Sequence, residues 1–451
     1  LSGDERDGSE RAGFAGAGRT IALFPEASYG AALNCIGIAQ ELRRAGARPV
    51  FICHDGFRGV FADYGFPEYP IIAQGGVAAP ADWTAFVARH KESFRLSPTE
   101  QIEAYVAPTW EAIVDTAIAA EAPLRRLLAR LKPAAVVLDN VVMFPAIAEA
   151  GVPWVRVVSC AETELPDPAV PPYLSGLPTD DRSAWGAFET RYRAAVAPAH
   201  ARFNAFLASA GRTHYPAGQF LEASPFLNLL LAPDIVRYPR ATALDPDRFV
   251  YLDGCVRSEG PFTPPPFAAH DDGPLVYLSF GSLGAMDTHL IERMLAVFET
   301  LPCRFLVNVG AWRDLYGRVP DNVFLDGWFP QPSVVAQARL FIHHGGNNSF
   351  CEALYYGVPS LVMPYCWDGH DNARRAAETG VGAALDRYRW SAEDLAAAIR
   401  SLIADAPMRA RLADCAARMQ RAQGVRRAAE AILSVADRAE RLPQGGAVGS
   451  R

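Results

Sequence analysis

Residues 340–354, LFIHHGGNNSFCEAL, carry the densest chemistry in this chain. An apolar run ends in His343 and His344, then come Gly345, Gly346, Asn347, Asn348 and Ser349, and then a segment with helical spacing. Strand, glycine turn and helix in that order put the turn at the carboxyl end of a parallel strand, where open α/β sheets collect ligands. A helix N-terminus at that place offers unpaired N–H groups and a partial positive charge. The glycines let the backbone approach a ligand closely, and the asparagines and serine supply caps and donors. A phosphate is the guest such a turn suits. Read locally, the same string is also an ordinary tight turn with Asn348 or Ser349 as a helix cap, so a wider pattern must decide.

The elements that must position this turn are those of a long, mixed chain. Its 451 residues suit two domains of roughly 200 residues each. The balance of 43 basic against 50 acidic residues, with no basic block, gives no footprint for a nucleic-acid partner. Eight cysteines occur without a CxxC pair, which excludes ordinary zinc spacing and reads as reduced thiols of a cytoplasmic protein. No apolar run is long enough for a membrane span. Residues 1–18 and 441–451 read as flexible tails, and the first of them lacks the apolar core of a secretory signal.

Along the chain, Thr20–Phe24 reads as a strand, a helix stopped by Gly46 follows, and the next strand completes a βαβ unit. Residues 97–131 read as helix broken at Pro108 and Pro123, and the strand AAVVLD ends at Asp139. Residues 259–274 are rich in proline and form the linker between a first domain, 19–258, and a second, 275–425. Residues 426–440 read as a helix returning to the first domain. The fold class expected is α/β, with two Rossmann-like domains facing a central cleft.

The wider string HHGGNNSFCEALYYGVPSLVMPYCWDGHDNARRAAETGVG resembles the donor-binding signature of the UDP-glycosyltransferase-like family, the inverting GT-B enzymes of bacterial natural products and plants. VYLSFGSLG and LDGWFPQPSVVAQARLFIHHGG extend the likeness more loosely. The resemblance implies a donor site in which His344 and the N–H groups around Gly346, Asn348 and Ser349 hold a diphosphate. Ser282 faces the phosphates as well. Trp328 stacks on the base, Gln331 lies near base and ribose, Glu352 accepts from ribose hydroxyls, and Asp368 meets the sugar. Singly, each has a plainer reading: core for Trp328, a solvated helix residue for Glu352, a turn former for Asp368. The implied partners are a UDP- or dTDP-sugar donor and a small-molecule acceptor; no resident cofactor or metal is expected, since fixed donors can meet the charge of a diphosphate leaving group.

Two departures stand out. Where the family has Asp-Gln, this chain has Asp368-Gly369, which suggests extra room around the sugar. Where the family's first loop carries its base histidine, FPEASYGAALNC places Ala31 or Ala32. A methyl group takes no proton. Asp139 and Glu26 are the leading replacements, with His54 or Asp55 behind them, and the absence of any dedicated base stays open. His370 reads as a sugar-positioning residue, and Trp83, Phe86, Trp110, Tyr173, Trp185 and Phe188 as candidate acceptor-pocket aromatics. The leading expectation is an inverting transferase that needs no metal. A non-catalytic nucleotide-sugar binder on the same fold is the alternative, because the usual histidine is missing.

Overall fold

The computed structural model describes residues 18–71 and 80–441, without the side chains of residues 80–82, 282 and 440. Two sheets organise it, and every strand pair in both is parallel. The first holds β1 (Thr20–Pro25), β2 (Arg48–His54), β3 (Glu68–Ile71), β4 (Ala135–Asp139), β5 (Trp154–Val158), β6 (Leu227–Leu230) and β7 (Phe249–Tyr251) in the order β3-β2-β1-β4-β5-β6-β7. The second holds β8 (Leu275–Ser279), β9 (Arg304–Asn308), β10 (Val323–Asp326), β11 (Leu340–His343), β12 (Ser360–Val362) and β13 (Gly382–Ala384) in the order β10-β9-β8-β11-β12-β13. Helices cover both faces of each sheet, which is why strands such as β4 read as unbroken apolar runs.

Strand order reverses between β1 and β4 in the first sheet and between β8 and β11 in the second. Such a switch opens a crevice beyond the strand ends. Pro25 is paired with Asp139 across the first switch, and His343 with Ser279 across the second. Glu26 and His344 are therefore the first residues past the sheet at the two crevices.

The helix Gly424–Arg441 packs on the first sheet. Its Ala428, Ala429, Ile432 and Leu433 are buried in one cluster with Ile21, Leu23, Ile36 and Leu229. The segment 259–274 is fastened down rather than loose, since Phe262 and Phe267 pack against Phe329, Val334 and Phe341.

Some local expectations fail for physical reasons. Pro108 lies in the first turn of the helix Ala107–Leu131, where its missing N–H is no loss. Pro123 lies inside the same helix without ending it, because Ala117, Ala120, Leu124 and Leu128 on the buried face hold it to the core. The strands β3, β6, β7 and β13, of three or four residues each, are too short to show a period.

Candidate active site

The helix Asn347–Tyr356 starts with Gly346 as its N-cap, so the glycine turn and the helix N-terminus are one structure. The first N–H groups of such a helix have no partner within it. Asn347 N–H donates to the Asp368 carboxylate at 3.2 Å and Phe350 N–H to the Gly346 carbonyl at 3.1 Å. The two histidines of the turn divide their roles. His343 is fully buried, and its Nδ1 accepts from Gly345 N–H at 3.1 Å. His344 is half-buried beside Tyr365, with ring centroids 5.3 Å apart. A Cβ on Gly346 would lie 2.5 Å from His344 Nε2, and one on Gly281 would lie 3.0 Å from its Cε1. Glycine at both places is what lets the imidazole stand at the helix mouth. Burial and the nearby Arg387 charge lower its pKa to about 4, so at neutral pH it serves as a neutral hydrogen-bonding group.

Gln331 donates to Glu352 at 2.7 Å and to Ser349 Oγ at 3.1 Å, and Asn348 donates to Glu352 at 3.2 Å. Glu352 is completely buried, and Arg257 Nη1 donates to it at 2.7 Å. The solvated-helix reading of Glu352 is thereby excluded. Trp328 is 62% exposed, so it is no core residue; a large bare aromatic is free to stack on a flat ligand. Ser282 lies in the short helix Gly281–Gly284 after β8, and its side chain is outside the described residues.

Asp368 is 9% exposed and its pKa is raised to about 7, by burial first. The expected extra room at Gly369 is absent. A Cβ there would lie 2.6 Å from the His344 carbonyl oxygen, and one on Gly345 would lie 2.7 Å from the Gly369 carbonyl. Two backbone segments have closed into the space a side chain would take. His370 faces Gln101 Oε1 across 3.1 Å, a contact between the two domains.

At the first crevice, Ala31 and Ala32 lie in the helix Tyr29–Arg44, and both are buried. Glu26 N–H donates to the Asp139 carbonyl at 2.7 Å, so the two residues are adjacent at the switch point. Their surroundings differ. Asp139 is 2% exposed and takes hydrogen bonds from Ser159 Oγ at 2.6 Å and Cys35 Sγ at 3.7 Å. Burial raises its pKa well above the carboxylate range, against the Ser159 bond. Glu26 is partly exposed and lines a small open pocket, with room for about one water, together with His54, Trp83, Ile113, Asn140 and Phe144. Burial, then the neighbouring Glu164, raise its pKa to about 7. His54 Nδ1 is buried and without a partner at this pocket. Burial lowers its pKa to about 4. Of the six aromatics expected to line an acceptor pocket, Trp83 lines this one; Phe86, Trp110, Trp185 and Phe188 are buried, and Tyr173 is half-buried against Trp367, with ring centroids 6.3 Å apart.

Sequence reasoning missed the contacts that set the two domains against each other. Asn347 Nδ2 donates to the carbonyls of Ser159 at 3.0 Å and Leu231 at 2.9 Å. Asp371, in the helix Gly369–Glu378, is held by Thr163 Oγ1 at 2.7 Å and by the N–H groups of Leu174 and Gly176 at 2.8 Å each. Glu164, paired with Arg156, lies within electrostatic reach of Glu26 and of Asp368.

Residues 305–426 match the model of the erythromycin biosynthesis protein CIII-like C-terminal domain. Oleandomycin glycosyltransferase of Streptomyces antibioticus is 29% identical over 239 residues, 52% of this chain and 54% of that one. The chain spans about half or less of the curated relatives it matches. Among solved structures, the glycotransferase of kitacinnamycin superposes with a TM-score of 0.69 at 20% identity, covering 93% of this chain and 99% of the other. The glycosyltransferase VinC in complex with DTDP gives 0.63 at 18% identity, covering 93% and 100%. Residues 305–426 are thus similar to the C-terminal domain of natural-product glycosyltransferases, and the two parallel sheets have the GT-B fold of those solved structures.

Proposed function

We propose that this protein is an inverting glycosyltransferase that moves a sugar from a uridine or thymidine diphosphate carrier to a small-molecule acceptor. The observation that carries the reading is a hydrogen-bonded bridge between the crevices: Asn347 donates through its N–H to Asp368 at 3.2 Å and through Nδ2 to the Ser159 carbonyl at 3.0 Å, and Ser159 Oγ donates to Asp139 at 2.6 Å. An acceptor entering beside Glu26 and a donor on the helix Asn347–Tyr356 would meet across that bridge.

In the proposed reaction the acceptor hydroxyl gives its proton to Glu26 while its oxygen bonds to the anomeric carbon. The bond from that carbon to the diphosphate oxygen breaks on the opposite face, which inverts the configuration. The departing diphosphate carries its charge onto the N–H groups at Asn348 and Ser349 and onto His344, donors already in place before charge develops. Trp328 would stack on the base, and Asp368 would accept from sugar hydroxyls. Glu26 suits the base role better than Asp139. It lines an open pocket, and its pKa of about 7 matches a group that must take a proton near neutral pH. The lost histidine therefore leaves no gap that requires a purely binding protein.

A thermal-shift panel of uridine, thymidine, guanosine and adenosine diphosphates and their sugars tests the donor site, since ligand binding to the folded state raises the melting temperature. A shift with one base names the carrier. Donor consumption that requires an acceptor then identifies a transferase. A shift with no turnover in any acceptor screen would leave a binder, and no shift with any nucleotide would end the reading. His344→Ala is expected to weaken the free diphosphate and the donor sugar alike.

A further inference from the structure

Glu352 is the residue that family resemblance assigns to the donor ribose, yet it is a buried carboxylate. A buried charge is tolerated only when it is paired and hydrogen-bonded. Its partner, Arg257, is not in the second domain's sheet at all. It lies in the segment that follows β7 and leads to β8, and it is itself 5% exposed.

That segment is pinned to the first domain from several sides. Gln40, in the helix Tyr29–Arg44, donates to the Ser258 carbonyl at 3.0 Å and accepts from Ser258 N–H at 2.8 Å. Tyr64 OH donates to Glu259 at 2.6 Å, and Arg257 Nε donates to the same carboxylate at 2.5 Å. Arg257 backbone atoms lie only 3.3 Å from where a Cβ on Gly37 would be. From this anchored base the guanidinium reaches across to Glu352, using Nη1. The other groups on Glu352, Gln331 and Asn348, are amides on partly exposed residues of the second domain.

We propose that Arg257 is a positioning residue for donor recognition: fixed to the first domain, it holds the Glu352 carboxylate ionised and aimed so that it accepts from the hydroxyls of a nucleotide ribose. The amides of Gln331 and Asn348 cover the carboxylate in the free chain and turn aside when ribose enters. Arg257 does not, because its other contacts hold it in place. Glu352 then keeps one strong partner throughout, and a carboxylate oxygen has lone pairs enough for guanidinium and hydroxyl together. The inference rests on the donor-site reading above. It adds that ribose recognition by the second domain depends on a side chain tethered to the first.

The experiment is calorimetric titration with uridine diphosphate and its 2′,3′-dideoxy form, and with thymidine diphosphate and its 3′-deoxy form. Arg257→Gln is expected to lose about tenfold or more in affinity for the hydroxyl-bearing nucleotide, as for loss of a charge-assisted hydrogen bond, and little for the deoxy form. The unaltered chain should prefer the hydroxyl-bearing nucleotide. Because removing Arg257 leaves a buried charge unpaired and can impair folding, the Arg257→Gln, Glu352→Gln double variant is measured as well. It should match Glu352→Gln alone, since the arginine acts through the glutamate. Equal losses for both nucleotide forms, or losses that simply add in the double variant, would overturn the proposal and make Arg257 a structural residue. Wild-type affinity in Arg257→Gln would overturn it too. Failure of the unaltered chain to bind any of the four nucleotides is a different result, which refutes the donor site itself and the proposal with it.

Discussion

Replacing Glu26 by glutamine should make the protein more stable and nearly inactive, and the two effects should part company with pH. The carboxyl's pKa rises from 4.5 to about 7 because burial and Glu164 disfavour its charged form. A raised acid pKa means the folded state binds the proton more tightly than the unfolded one. Stability is therefore highest below pH 4.5 and falls as pH climbs through about 7, above which the full penalty applies. The shift corresponds to about 3 kcal/mol; the partly exposed face of the carboxyl lets water screen it, and about 1–2 kcal/mol is the expected remainder. Glutamine carries no such penalty. At pH 8 the variant should melt about 2–6 °C higher than the parent, and at pH 4 the two should coincide. Turnover should fall about 10²- to 10⁴-fold, the usual worth of a general base. In the parent, kcat/KM should drop about tenfold per pH unit on the acid side of 7, and that limb should vanish in the variant. The assays are differential scanning fluorimetry across pH and acceptor-dependent donor consumption. Full activity in the variant would refute Glu26 as the base. Lost activity without a pH-dependent stability gain would refute the account of its surroundings.

Trp328→Ala should leave the melting temperature within a degree or so, because the ring is exposed, while weakening nucleoside diphosphate binding in calorimetry. Restoring the family's side chain by Gly369→Gln should not improve sugar binding; the Cβ would press on the His344 carbonyl, with an expected loss of about 1–3 kcal/mol seen as a lower melting point and weaker diphosphate binding. Asp371→Asn turns an amide toward N–H groups that now donate to a carboxylate, at about 1–3 kcal/mol. Limited proteolysis should then cut the 163–176 loop faster than in the parent.

How much of this was readable beforehand follows the distance between interacting residues. The turn at 343–349 was legible because strand, glycines and helix cap are neighbours in sequence and their chemistry is local. Arg257 was not, since its meaning depends on Glu352, ninety-five positions away. The choice between Glu26 and Asp139 was equally closed to sequence: both end adjacent strands, and only the positions of Ser159 and Cys35 turn one of them inward. Gly369 misled in a different way. A missing side chain reads as space, whereas here backbone fills it.

The last helix has a consequence for how the chain is made. Its apolar face completes the core under β1, β4 and β6, but every residue of the second domain is synthesised before it. The first domain thus leaves the ribosome with an open hydrophobic trough and keeps it until that helix has been made. A domain that ordinarily folds as soon as it emerges must here wait for its neighbour. Gly424 then packs against Asp253 and Gly254, so the outgoing and returning strands come to lie side by side. The second domain is in effect an insertion whose two connections to the first run side by side.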